Sequence, residues 1–89
     1  MKCLKITVKG MVQGVGFRYF CYRKAYEFNI KGYAKNLYNG DVEIMAEGEE
    51  GMLNDFIKAV KTGPPFSSVN SLQIEDAESE NRFTSFRIY

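Results

Sequence analysis

Leu4-Lys5-Ile6-Thr7-Val8-Lys9-Gly10-Met11-Val12-Gln13-Gly14-Val15-Gly16-Phe17-Arg18 reads as a strand, a tight turn and the start of a helix in one run. Leu4, Ile6 and Val8 alternate with Lys5, Thr7 and Lys9, the period-two pattern of a half-buried strand. From Phe17 the spacing changes. Apolar residues then fall at Phe17, Phe20, Cys21, Ala25 beside Lys24, and Phe28, the three-and-four spacing that predicts a helix over Phe17 to Phe28. Between the two, Gly10, Gly14 and Gly16 place three glycines in seven residues, so the backbone there can fold tightly.

Ile30 to Leu37 predicts a second strand, followed by Asn39-Gly40, a dipeptide suited to the positive φ angles of a type I′ hairpin turn. Strand three is then Asp41 to Glu47, with Val42, Ile44 and Ala46 on one face and Asp41, Glu43 and Glu47 on the face that meets water. Met52, Leu53, Phe56, Ile57 and Val60 make a second amphipathic helix that Thr62-Gly63-Pro64-Pro65 ends, because proline cannot continue it. Val69 to Glu75 and Phe83 to Tyr89 predict strands four and five, joined by an acidic, solvated stretch from Asp76 to Asn81.

The resulting order, βαββαβ plus a terminal strand, matches the split βαβ motif of an α+β, ferredoxin-like sandwich. The expectation is an antiparallel sheet with two helices on one face and a short fifth strand. Right-handed crossovers make strands one and two parallel, with strand three antiparallel between them. Both then end at one edge of the sheet. The glycine turn, the helix start and the end of strand two at Asn36 are expected to converge there.

At 89 residues the chain has room for a single domain, 1–89, with one core. Its formal net charge is +1, and its basic residues, densest between Lys24 and Lys35, form no continuous run, so no nucleic acid or lipid partner is indicated. No apolar stretch has the length of a membrane span, and Met1-Lys2-Cys3-Leu4-Lys5 is no signal peptide. The expected location is cytoplasmic. Cys3 and Cys21 form no CxxC pair and there is no histidine, which leaves too few soft ligands for zinc and no Ser-His-Asp triad. Both cysteines read as small buried apolar residues.

The turn carries the chemistry. A glycine-rich backbone opening onto a helix N-terminus can aim several N–H groups and the positive end of the helix dipole at an anion. On glycine content alone, a plain strand-to-helix turn is the favoured alternative. Arg18 shifts that balance, since a cation in the first helical turn opposes the dipole unless an anion lies between them, and its guanidinium offers a fork of donors to phosphate oxygens. The candidate phosphate-binding residues are therefore Met11, Val12, Gln13, Gly14, Val15, Gly16, Phe17 and Arg18.

Other phosphate motifs fail. No glycine is followed by Lys-Ser or Lys-Thr, so there is no P-loop, and Tyr19 occupies the third glycine position of a Rossmann fingerprint. Cys3 in strand one and Cys21 inside helix one lie in no phosphate-cradling loop. Direct attack of water on a bound phosphate remains, which needs charge stabilisation and a group to hold the water. Asn36 shares a face with Gly32 and Ala34, and so stands as a polar group at the end of a core row. A strand-end asparagine satisfied by neighbouring backbone is the alternative reading.

Gly10-x-Val12-Gln13-Gly14-Val15-x-Phe17-Arg18, Gly32-Tyr33-Ala34-Lys35-Asn36, Asn39-Gly40-Asp41-Val42-Glu43, Gly63-Pro64-Pro65 and the closing Phe86-Arg87-Ile88-Tyr89 together closely resemble the small acylphosphatases, in the same order. That resemblance implies hydrolysis of acyl phosphates to a carboxylate and inorganic phosphate, with phosphate as product and inhibitor. It also implies a monomer that needs no metal or cofactor. An arginine matching Arg18 would hold the phosphoryl oxygens, and an asparagine matching Asn36 would position the attacking water. The carboxylate leaving group dispenses with a general acid, and this chain offers no obvious one beside the turn. Ala34, where valine is usual, and Asp41, where a small hydroxyl residue is common, depart from the pattern.

Two other readings compete. The βαββαβ order also serves RNA-recognition modules, and Lys31-Gly32-Tyr33-Ala34-Lys35-Asn36-Leu37-Tyr38 partly fits their aromatic signature. That signature belongs on strand three, whereas this segment is strand two. The second reading is an acylphosphatase-like domain serving a larger carbamoyl-phosphate enzyme. A chain running from Met1 to a closing strand at Tyr89 favours an independent domain.

Overall fold

The computed structural model describes residues 1–79 and 83–89. The elements run β1 (Lys2–Met11), α1 (Phe17–Glu27), β2 (Lys31–Asn36), β3 (Val42–Gly48), α2 (Glu50–Thr62), β4 (Ser68–Ala77) and β5 (Phe86–Ile88). The strands form one sheet in the order β4-β1-β3-β2-β5.

Register explains how one face becomes the core. Leu4, Ile6 and Val8 pair with Ala46, Ile44 and Val42, which in turn pair with Gly32, Ala34 and Asn36. These rows are buried except at Asn36, where the last row runs out into solvent. Both helices cover that face. α1 packs on β2 and β5, α2 packs on β3 and β4, and the helices touch each other. Phe17, Cys21 and Ala25 from α1 and Leu53, Phe56 and Val60 from α2 supply the opposing layer. Each large apolar side chain buried this way contributes about 1.5–3 kcal/mol.

β1 and β2 both pair antiparallel with β3 and are therefore parallel to each other. The expected convergence follows, because Val8 and Asn36 flank Val42 in one row at the same end of the sheet.

Several local expectations need correction. The sheet is mixed, because β5 pairs parallel with β2. β4 and β5 lie on opposite edges, and β5 runs in the direction of β2. Only Phe86–Ile88 of the expected Phe83-to-Tyr89 strand is a strand. β4 continues through Asp76 to Ala77, and Glu80 and Asn81 of the expected solvated stretch lie outside the described residues.

The β2–β3 connection is not a type I′ turn. Gly40 alone of the Asn39-Gly40 pair takes positive φ, at 97°, and its N–H donates to Leu37 O at 3.2 Å. That is the pattern of a type I turn closed by a bulge glycine. Asp41 and Glu47, expected in water, are only 8% and 4% exposed. Ser79 Oγ donates to Glu47 Oε2 at 2.6 Å, so chain beyond β4 lies over that end of the open face. Among the described residues, no helix is long and apolar enough to cross a membrane.

Candidate active site

β1 ends at Met11, opposite Ser68 of β4, and α1 starts at Phe17. Val12 and Phe17, each 1% exposed, anchor the two ends of the connecting loop in the core. Gly14 (φ 75°) and Gly16 (φ 76°) both take the left-handed conformation, which side chains with a Cβ rarely adopt. Gly16 is the N-cap and brings no side-chain cap, and no acidic residue stands in the first turn of α1.

That geometry leaves donors free. Among the described residues the backbone N–H groups from Gly14 to Tyr19 have no acceptor, and the first satisfied one is Phe20 N–H, bonded to Gly16 O at 3.0 Å. A run of open N–H groups at the positive end of a helix dipole favours an anion. The plain-turn alternative explains the glycines and leaves these donors unaccounted for.

Arg18 is half-buried beside them. Its Nη1 donates to the main-chain oxygen of Tyr89 at 2.5 Å, and Tyr89 N–H in turn donates to Ala34 O at 2.9 Å. The guanidinium is thereby tethered to β2 two residues before Asn36. Among the described residues no carboxylate side chain pairs with Arg18, so its other donors are open. A cleft of about 160 Å³ lies between Val12, Gly14, Gly16, Arg18 and Ile88.

Asn36 side-chain atoms make no hydrogen bond among the described residues, and the residue is exposed. The backbone-satisfied alternative therefore has no partner to name. Asn36 lines a second cleft together with Gln13, Leu37 and Tyr38. The Gln13 side chain reaches across from the loop, its Nε2 donating to Leu37 O at 2.7 Å and to Asp41 O at 2.9 Å. The glycine loop is thus fastened to the turn that follows Asn36.

Sequence reasoning grouped Met11 with the phosphate-binding residues, but Met11 still belongs to β1, exposed at the strand's end. Val12 and Phe17 contribute buried anchors, and Val15 packs partly against the core. The roles of the Gln13 side chain and of Tyr89 were missed. Nothing in residue type signals a main-chain oxygen as the tether of an arginine.

Nearby cations are otherwise engaged. Lys9 Nζ lies 2.8 Å from Asp41 Oδ2, and Lys35 Nζ lies 3.5 Å from Glu43 Oε2. Burial pushes the Glu43 carboxyl up, but the Tyr33 hydroxyl bond and the charges of Lys35 and Lys5 outweigh it and hold the group below its ordinary range. Cys21 is fully buried and its thiol is pushed up to about 12 by that burial. At neutral pH it stays protonated, which removes it as a nucleophile.

Cavity size does not locate the site. A groove of about 670 Å³, larger than either cleft, lies at the other end of α1 among Tyr22, Tyr26, Asn29 and Lys31, where the helix presents carbonyls rather than N–H groups.

The loop's dependence on glycine can be tested directly. A Cβ at Gly14 would meet nothing within 4 Å, so a side chain there is resisted by φ and not by crowding from the fold. Gly14→Val should lose inorganic phosphate affinity by tenfold or more, on the order of the 1–2 kcal/mol that left-handed backbone costs, while keeping the fold. Calorimetric titration with phosphate checks this, and unchanged affinity would make the turn purely structural.

Comparison with known proteins agrees with this geometry. A family model for acylphosphatases matches residues 4–88. The chain is 52% identical over 88 residues to the acylphosphatase of Archaeoglobus fulgidus, covering 99% of this chain and 98% of that protein. It is 49% identical to the acylphosphatase of Pseudothermotoga lettingae with the same coverage. Its structure superposes on the crystal structure of acylphosphatase from Bacillus subtilis with a TM-score of 0.96 and 43% identity, covering 100% of this chain and 99% of that one. Full-length HypF in its phosphate- and nucleotide-bound form contains a similar portion, with a TM-score of 0.87 and 31% identity over 99% of this chain and 12% of that chain. The chain belongs to the acylphosphatase family.

Proposed function

We propose that this 1–89 domain hydrolyses acyl phosphates to carboxylate and inorganic phosphate by direct attack of water on phosphorus. The observation that carries the reading is the run of acceptor-free N–H groups from Gly14 to Tyr19, with Arg18 in the same turn; the unbonded Asn36 side chain stands at the same end of the sheet.

The phosphoryl group sits in the loop, its oxygens accepting from these N–H groups and from the free donors of Arg18. Charge that builds on the oxygens in the transition state is met by donors already in position. Asn36 holds a water for in-line attack, so the acyl oxygen departs from the opposite side of phosphorus. Because a carboxylate is a good leaving group, its departure needs no protonation, whereas the alkoxide of a phosphate monoester would need it.

The enzyme acts as a cytoplasmic monomer without metal, cofactor or nucleic acid. On the open sheet face, where an RNA-recognition module would bind, Lys5, Lys9 and Lys35 are paired with Glu43 and Asp41, and the Tyr33 hydroxyl is engaged by Glu43. The purified protein should hydrolyse benzoyl or acetyl phosphate in the presence of a chelator, with inorganic phosphate as competitive inhibitor. It should leave a phosphate monoester essentially untouched. Activity lost on chelation and restored by added metal would overturn the metal-free mechanism, and equal rates on the monoester would overturn the leaving-group argument.

A further inference from the structure

Asp41 is the residue on which the separate parts of the site meet. By register it lies opposite both Lys9, one residue beyond the Val8 to Val42 pair, and Leu37, one residue beyond the Asn36 to Val42 pair. Its main-chain oxygen accepts from Leu37 N–H at 2.8 Å and from Gln13 Nε2 at 2.9 Å. Its carboxylate takes Lys9 Nζ at 2.8 Å and Asn39 Nδ2 at 3.1 Å through Oδ2, and its own N–H donates to Asn39 Oδ1 at 3.0 Å. These bonds reach the strand entering the phosphate loop, the loop itself, the segment after Asn36 and the turn between.

The residue is 8% exposed, and a carboxylate that close to full burial is retained only where its partners satisfy it. The Lys9 pair tilts the balance further. A surface ion pair contributes little to stability, but here one partner lies almost out of solvent and closes a hydrogen-bonded ring around the turn. Gln13 alone could fasten the loop to the turn, yet its acceptors are main-chain oxygens whose position depends on how the turn is held. Asp41 holds it from the side of β1.

We propose that Asp41 is a positioning residue for the reaction: by tying Lys9 and Asn39 to the β2–β3 turn, it sets where Asn36 stands relative to the phosphate loop. The inference rests on the water-holding role given to Asn36 under the proposed function. Asp41 touches neither substrate nor water, and acts through the turn. Misplacing a reacting group by a fraction of an ångström to one ångström lowers rate strongly while leaving ground-state binding intact, so the effect belongs in turnover and not in phosphate affinity.

The test measures kcat and KM for benzoyl phosphate, together with calorimetric affinity for inorganic phosphate, in Asp41→Ala and Asp41→Asn, each alone and combined with Asn36→Ala. Asp41→Ala is expected to lower kcat by about tenfold or more with phosphate affinity within about threefold. Asp41→Asn, which keeps an acceptor for Lys9, should recover part of that loss and covers the case in which the alanine variant folds poorly. In the Asn36→Ala background either change should lower residual turnover by less than about twofold, because two residues that act as one unit are not additive.

A folded Asp41→Ala with unchanged kcat, or an equal loss in both backgrounds, overturns the inference while leaving the role of Asn36 intact. A fully active Asn36→Ala overturns that role and this inference with it.

Discussion

Arg18→Ala is expected to lower kcat/KM for an acyl phosphate by about 10³-fold or more, the range over which a single arginine stabilises phosphoryl transfer. Arg18→Lys should be nearly as damaging. Arg18 already gives Nη1 to the main-chain oxygen of Tyr89, and that tether fixes the plane of the guanidinium while its remaining donors stay open. A lysine ammonium is a point charge on a flexible stem, and it cannot hold Tyr89 and grip two phosphoryl oxygens in one plane. Arg18 is half-buried, and among the described residues its one hydrogen bond is to Tyr89, so both variants should unfold close to the parent midpoint. Steady-state kinetics beside a denaturation curve decides the matter. A lysine variant with near-parent activity would reduce Arg18 to a source of positive field.

Asn36→Ala should separate binding from chemistry. Loss of the group that holds the attacking water removes an interaction made chiefly in the transition state, and turnover should fall by about 10²–10³-fold. Phosphate affinity should stay within a few-fold, since Arg18 and the loop N–H groups remain. The fold should barely notice, because the Asn36 side chain has no hydrogen bond to lose among the described residues and stands in solvent at the end of its row. Had the side chain been satisfied by backbone, the same substitution would cost roughly 1–3 kcal/mol of stability with the catalytic rate intact. A destabilised but fully active Asn36→Ala would therefore contradict the role given to it.

Much of this was legible because period and register carry long-range information. Alternation at Leu4, Ile6 and Val8 and the helical stripe at Phe17, Cys21 and Ala25 locate β1 and α1, and the crossover rule then brings Asn36 to the end of the sheet where the glycine loop lies. The parity of Gly32, Ala34 and Asn36 places that asparagine on the core face, as the Val8–Val42–Asn36 row bears out.

What stayed hidden depends on contacts between distant segments. Asp41 and Glu47 have the parity of a solvated face, yet both are nearly buried, Asp41 bonded to Lys9 and to neighbouring Asn39 and Glu47 to Ser79. Asn39-Gly40 is compatible with more than one hairpin turn, and a single positive φ at Gly40 decides between them. The parallel pairing of β5 with β2 sets Phe86 opposite Gly32, far apart in sequence, which no local pattern encodes.

Turnover of an acyl phosphate by the purified enzyme in water labelled with heavy oxygen, with both products weighed, shows which atom the water attacks. Attack on phosphorus by a water held at Asn36 breaks the bond between phosphorus and the bridging oxygen, so that oxygen leaves with the carboxylate. One labelled oxygen is expected in the inorganic phosphate and none in the carboxylate. Label in the carboxylate instead would mean attack at the carbonyl carbon, with the loop and Arg18 merely holding the leaving group, and would contradict attack on phosphorus.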